Sequence, residues 1–391
     1  MIKSFVLQMP QEIYFGTGKR SVLPEMVTRF GRRVLLFGGR RWFDDSGWKK
    51  KFEQLLDSFQ LECIHCPGGE PESEGLNAIV EQARAFDPQV IVAVGGGSVL
   101  DTAKAVSGLL TSGNKVEDYL EGVGRGLQLD RPGVPWIAVP TTAGTGAEVT
   151  KNAVVKAKEL GAKKSLRSPY LLATCALVDP ELTAGAPLSL SGTAGMDALV
   201  QLVEAYVSKK SAPIPRALCR QAFPPMLAAL KRIPQDPDDL EARSAASYGA
   251  MASGIALANS GLGAAHGFAS GLGGLYDIPH GLICALFIRP VLRANAELIR
   301  EDCALLYQSF VEQGGNAVAK PAGRSSDPVQ WLIDRIDELF TLYDLPANLK
   351  GFAVDAERIP EIARRSSGSS MSGNPRELSQ QEREDMIASL L

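Results

Sequence analysis

Two stretches of this chain carry residues whose types and spacing can do chemistry. The first is Gly195-Met196-Asp197-Ala198-Leu199-Val200-Gln201. Asp197 and Gln201 are four apart, so on a helix they share one face. Further along stand His266 and His280, two of only 3 histidines in the chain. Pro279 precedes His280 and begins a new turn or helix there, so the two imidazoles can converge from different elements. One aspartate with two histidines suits a divalent transition metal that keeps an open position. Taken singly, each histidine reads better as an ordinary, partly buried residue. Flanked by glycines and taken with Asp197, they point to a ligand set.

The second stretch runs from Gly95-Gly96-Gly97-Ser98 through Asp101 to Lys104. It follows the apolar run Val90 to Val94 and opens an amphipathic run, which predicts strand, glycine turn and helix. Glycines let backbone N–H groups approach a ligand with no Cβ in the way. The helix N-terminus behind them adds unpaired donors and partial positive charge, which suits a pyrophosphate. Ser98 with Asp101 reads as a capping box. A tight strand–helix turn also wants glycine for its own sake, so this stretch alone does not settle a nucleotide site. Pro140-Thr141-Thr142-Ala143-Gly144-Thr145-Gly146 ends another strand. It reads either as a ligand-binding turn at the carboxyl edge of a sheet or as a plain hydroxyl-rich turn.

The elements that must position these residues fall into two halves. The 391 residues, 45% hydrophobic and 22% charged, are ordinary globular material with room for about two domains. Up to residue 182, apolar runs alternate with amphipathic ones. Strands are expected at Glu12–Phe15, Arg33–Phe37, Leu61–Cys66, Val90–Val94, Pro135–Val139 and Ala173–Val178, with helices at Ser21–Arg29, Trp48–Phe59 and Glu74–Phe86. A further extended piece is expected at Ser4–Gln8, and a hairpin over Val149–Lys156 and Lys163–Ser168. This alternation argues for a mostly parallel sheet covered on both faces. From residue 183 helical periodicity takes over: Ala198–Val207, Pro215–Ile233, Leu240–Leu257, Ala264–Gly273, Val291–Gly314 and Pro328–Tyr343. Lys320–Asp327 and Arg364–Pro375 read as loops. The fold class is α/β followed by all-α, with a Rossmann-like domain over 1–182 and a helical domain over 183–391.

A net charge of −3 gives no general attraction to nucleic acid or to an anionic membrane. No signal peptide is evident, and Leu282 to Ile288 stops at Arg289, far short of a spanning helix, so the cytoplasm is the expected compartment. Of the 6 cysteines, Cys63 and Cys66 alone have a suggestive spacing. They lie in an expected strand with no further ligands nearby, which gives little support to a zinc or redox site.

These motifs make the chain resemble the iron-containing, group III alcohol dehydrogenases over essentially its whole length. GGGSVLDTAK (95–104), PTTAGTGAEVT (140–150), ALVDPELT (176–183), GMDALVQLVEAYVS (195–208), AAHGFASGLGGLYDIPHG (264–281) and SMSGNPREL (370–378) carry the resemblance. It implies the architecture shared with dehydroquinate synthase-like proteins: a dinucleotide-binding domain, a helical metal-binding domain, and a cleft between them. It also implies a homodimer or larger assembly acting on a small alcohol or aldehyde with NAD or NADP and a divalent metal, iron(II) or zinc. Gly39, Gly95, Gly96, Gly97, Ser98, Asp101, Thr141, Thr142, Thr145 and Lys163 would serve the cofactor. Asp197, His266 and His280 match three of the family's four metal ligands.

Three departures follow from the resemblance. Gln201 stands where the family usually has its fourth ligand, a histidine; its carbonyl oxygen is a weaker ligand than imidazole. Related glycerol dehydrogenases manage with one aspartate and two histidines. Ser270 stands where many members have a proton-relaying histidine, so the alcohol proton leaves through Ser270, the cofactor ribose or water. Gly39 replaces an aspartate that would accept from the adenosine 2′-hydroxyl, and Arg40 or Arg41 can pair with a 2′-phosphate, which leans toward NADP tolerance. The glutamine-bearing motif is similar to a Kdo 8-oxidase-like branch, making a sugar-acid alcohol one candidate substrate that Lys163, Lys164 and Arg167 would steer. Two rival readings remain: a metal-independent reductase like the maleylacetate reductases, and a non-catalytic nucleotide-binding homologue.

Overall fold

The computed structural model describes residues 4–157, 162–314 and 327–391, without the side chains of Arg40, Arg41 and Ala162. The expected loop before Asp327 therefore lies outside the described residues, as do the Arg40 and Arg41 side chains. The chain divides into two compact units. One comprises 8–142 and 146–183; the other comprises 1–7, 143–145 and 184–391.

The first unit is a parallel sheet with helices. In chain order its elements are β1 (Glu12–Phe15), α1 (Leu23–Thr28), β2 (Arg33–Gly39), α2 (Arg40–Asp45), α3 (Trp48–Leu55), β3 (Gln60–Cys66) and α4 (Ser73–Phe86). Then follow β4 (Val90–Gly95), α5 (Gly97–Leu110), β5 (Trp136–Pro140), β6 (Asn152–Ala157), β7 (Ala162–Arg167) and β8 (Cys175–Val178). The 6-stranded sheet runs β1-β8-β5-β4-β2-β3, and each of its pairings is parallel. Successive residues of one strand feed opposite cores, as strand geometry requires. Val34 and Leu36 join one apolar cluster, Leu35 and Phe37 the other. Burial on both faces explains why the inner strands β2, β4, β5 and β8 read as largely unbroken apolar runs, while the edge strands β1 and β3 do not.

From β2 the chain goes outward to β3 and then returns to the far side of β2 for β4. That reversal puts a switch point between the carboxyl ends of β2 and β4, where open α/β sheets leave a crevice for ligands. Gly38 lies level with Val94, and Gly95 with Pro140, so the Gly95 turn and the Thr141 turn are neighbours at one sheet edge. The expected hairpin is present as β6 antiparallel to β7. Its anchor is Lys104, fully buried, which donates to Asp101 at 3.1 Å, Thr150 at 2.9 Å and the Asn152 carbonyl at 2.7 Å.

The second unit is helical: α6 (Leu188–Val207), α7 (Pro213–Arg232), α8 (Leu240–Ser260), α9 (Ala264–Gly273), α10 (His280–Glu312), α11 (Pro328–Leu342), α12 (Ile359–Arg365) and α13 (Gln380–Ala388). Among the described residues no helix is long and apolar enough to cross a membrane. One cluster of buried residues links α6 to α11 and reaches Ile387.

Several expectations need correction. Ser4–Gln8 forms no strand. The helix expected from Val291 begins at His280 and runs 33 residues through Pro290. Proline costs an interior helix one hydrogen bond, which reads as a break, but burial of residues 281–288 before it and of Val291, Leu292 and Ile299 after it outweighs that cost. The Ser98–Asp101 capping box is absent. Gly96 is the N-cap and no side chain caps the helix, so Ser98 already lies in the first turn. The Ser98 hydroxyl donates to the Gly69 carbonyl instead. Asp101 binds Lys104 and accepts the Val154 N–H at 3.0 Å, tying α5 to the hairpin.

Candidate metal centre and nucleotide-binding turn

Helix α6 is buried nearly all round, so its polar residues need partners inside the protein. Asp197, Gln201 and Glu204 fall on one face at intervals of four and three residues, each 2–3% exposed. The Asp197 carboxylate meets His266 of α9, Oδ1 to Nε2 at 3.2 Å. His280, the first residue of α10, places its ring centroid 5.6 Å from that of His266. Gly281 allows this approach. A Cβ there would lie 2.1 Å from the Thr193 carbonyl oxygen and 3.0 Å from the Asp197 Cβ.

The ligand atoms of Asp197, His266, His280 and Cys284 all lie within 4.8 Å of one another. A tetrahedral ion with bonds of about 2.0–2.3 Å sets its ligands roughly 3.5 Å apart, so a small contraction completes the site. The donor set of carboxylate oxygen, two imidazole nitrogens and a thiol sulfur fits a divalent transition metal. The structure thus brings together the three residues singled out from sequence and adds Cys284, buried one turn after His280.

Glu204 is the second residue that sequence reasoning passed over. Its Oε2 faces His266 Nδ1 at 2.7 Å and accepts the Gly263 N–H at 3.1 Å, while Oε1 accepts the Ala265 N–H at 2.7 Å. Gly263, the N-cap of α9, has no side chain to cap that helix. The carboxylate from α6 takes over the cap and holds His266 so that Nε2 faces Asp197. A glutamate seven residues after Asp197 on a helix was the available signal.

The electrostatics of the pocket favour positive charge. Burial alone would push Asp197 up, but the His266 bond and the nearby imidazoles hold it below its ordinary value. Burial would likewise drive His266 neutral. Cys284, Asp197 and Glu204 reverse that and hold it well above its usual value. Burial pushes the Cys284 thiol up to about 12.

Gln201 is buried with its Oε1 accepting from Ser253 of α8 at 2.8 Å. Ser270 is exposed, and its hydroxyl donates to the His266 carbonyl at 3.1 Å. Asn374 of the C-terminal motif accepts the Ala264 N–H at 3.3 Å, securing the start of α9 from outside.

At the glycine turn after β4, α5 opens with N–H donors that no side chain caps, the arrangement that can receive an anion. Gly95 and Gly96 are tight: a Cβ would lie 2.6 Å from Val99 and 3.3 Å from Thr142 Oγ1 respectively. Thr141 is buried, Thr142 half-buried and Thr145 exposed, the last within the helical unit. Lys163 pairs with Glu70, next to the Gly69 carbonyl that takes Ser98. Arg167 pairs with Glu121 at 2.8 Å, and Lys164 is exposed. Gly39 ends β2 and caps α2 with no acidic side chain. Cys63 and Cys66 are free thiols on β3.

Comparison with known proteins shows the family. The family model "Iron-containing alcohol dehydrogenase" matches residues 10–180, and "Fe-containing alcohol dehydrogenase family, C-terminal" matches 192–391. The chain is 31% identical over 280 residues to an NAD-dependent methanol dehydrogenase of Bacillus methanolicus, covering 70% of this chain and 71% of that one. It is 29% identical over 374 residues to lactaldehyde reductase of Escherichia coli strain K12, covering 93% and 94%. A crystal structure of 1,3-propanediol oxidoreductase superposes over 100% of both chains with a TM-score of 0.89 at 28% identity. The chain belongs to the iron-containing alcohol dehydrogenase family, enzymes that transfer a hydride between an alcohol and a nicotinamide cofactor with the help of a divalent metal.

Proposed function

We propose that Asp197, His266 and His280 hold a divalent metal, and that the Gly95–Ser98 turn carries the NAD(P) pyrophosphate, for reversible oxidation of a small alcohol to its carbonyl. The convergence of a carboxylate and two imidazoles within 4.8 Å inside the helical unit supports this reading most strongly. When bound, the metal polarises the alcohol or carbonyl oxygen as a Lewis acid while the nicotinamide ring takes or gives the hydride. The chain's residues prepare that chemistry. Asp197 supplies anionic charge in a dry setting, where it acts strongly. Glu204 accepts from Nδ1 of His266 and leaves Nε2 as the ligand atom. The uncapped first turn of α5 and the Thr141–Thr142 turn receive the phosphates and ribose, with Asp101 and Lys163 holding the surrounding segments. Ser270 takes part in proton exit only if its bond to the His266 carbonyl yields.

Stripping the protein with a chelator is expected to abolish alcohol oxidation, and Zn²⁺ or Fe²⁺ to restore it. Undiminished turnover by protein verified as metal-free would favour a reductase that works without metal. Because Gly39 offers no carboxylate to repel a 2′-phosphate, kcat/KM with NADP should fall within about tenfold of that with NAD. A preference for NAD of roughly a hundredfold or more would contradict that role for Gly39.

A further inference from the structure

We propose that Cys284 is the fourth protein ligand of the metal, as a thiolate, in the place that Gln201 does not fill. This rests on the metal-centre reading above and extends it. Three observations carry it. Cys284 Sγ lies within 4.8 Å of the ligand atoms of Asp197, His266 and His280. The thiol is completely buried, with its sulfur beside the Asp197 carboxylate and the two imidazoles, so it points into the cluster. His280 and Cys284 are four apart on one continuous helix, which stacks both donors on the same face.

Gln201 has the right helical spacing from Asp197, but its side-chain oxygen is engaged by the Ser253 hydroxyl. An amide oxygen is also the poorer donor for a transition metal. As the sulfur–metal bond forms, the thiol proton passes to water and no atom changes oxidation state. The resulting set of one carboxylate, two imidazoles and one thiolate carries two negative charges and balances a divalent ion. A thiolate also moves the preference from oxygen-loving ions toward zinc.

The test uses the full chain, stripped of metal and reloaded with Co²⁺ or Zn²⁺. Wild-type Co²⁺ protein is expected to show an intense sulfur-to-cobalt charge-transfer band in the near ultraviolet. The band should vanish in Cys284→Ser and Cys284→Ala and persist in Gln201→Ala. Zn²⁺ affinity in Cys284→Ala should fall by roughly tenfold or more. X-ray absorption of the wild-type Zn²⁺ protein needs no variant to fold, and should show one sulfur at about 2.3 Å. A bound metal with only nitrogen and oxygen neighbours and no charge-transfer band would overturn the thiolate ligand and leave the metal centre standing. Failure to bind either ion would overturn both.

Discussion

Replacing Asp197 with alanine is expected to lower kcat/KM by about a thousandfold or more, with saturating metal in the assay. Lewis-acid stabilisation is worth several kcal/mol, and each ~1.4 kcal/mol is a factor of ten, so losing the ion costs roughly three powers of ten. Asp197 is the one carboxylate among the four clustered ligands. Without it, two buried imidazoles and a thiol remain to hold a doubly charged ion at low dielectric, where an uncompensated charge is strongly disfavoured. The same variant should retain far less metal after gel filtration than the wild type. Its Asp197–His266 bond is lost, so a circular dichroism spectrum must first show that the helices persist. Activity within about tenfold of wild type in a folded variant would remove the metal centre from the mechanism.

Glu204→Gln is expected to raise the Kd for Zn²⁺ by about 10–100-fold, the usual cost of losing the partner that orients a ligating histidine. The carboxylate accepts from three donors: the Gly263 and Ala265 N–H groups and His266 Nδ1. Glutamine has one acceptor oxygen, and its NH₂ would face a donor. His266 then turns or changes tautomer, and the first turn of α9 loses a cap that its own N-cap glycine cannot supply. Glu204→Ala removes all three bonds from a buried site and should destabilise the helical unit by about 3–5 kcal/mol. Calorimetric titration of the glutamine variant separates the two effects, because it keeps the size of the side chain. An unchanged Kd would show that Glu204 caps the helix without tuning the ligand.

The parts of the site that were legible in sequence are polar residues inside apolar surroundings. Asp197 interrupts a helix whose other faces are apolar, and His266 and His280 are two of the chain's three histidines among glycines and aliphatic residues. The sheet was legible for a related reason: strands buried on both faces are unbroken apolar runs, and only their order awaited tertiary pairing. Glu204 was not legible, because a glutamate on a helix is ordinarily a solvated residue. Only the approach of α9 shows that it has three donors to satisfy. Cys284 was hidden twice over. A cysteine in an apolar run reads as a small core residue, and helical periodicity is read only from Val291 onward. Once α10 starts at His280, the four-residue spacing from His280 to Cys284 becomes visible. The failed capping box at Ser98 has a similar origin. Local spacing allowed it, but the Gly69 carbonyl and the Lys104–Asp101–Val154 network, all remote in sequence, claimed those side chains.

The most direct test of the metal centre is an anomalous difference map from crystals of protein purified without chelator and supplied with Zn²⁺, collected on both sides of the zinc edge. The account predicts one strong peak bonded to Asp197, His266 Nε2 and His280, at about 2.0–2.2 Å from each. A map with no peak among these three residues, or with its zinc bound elsewhere in the helical unit, would contradict it.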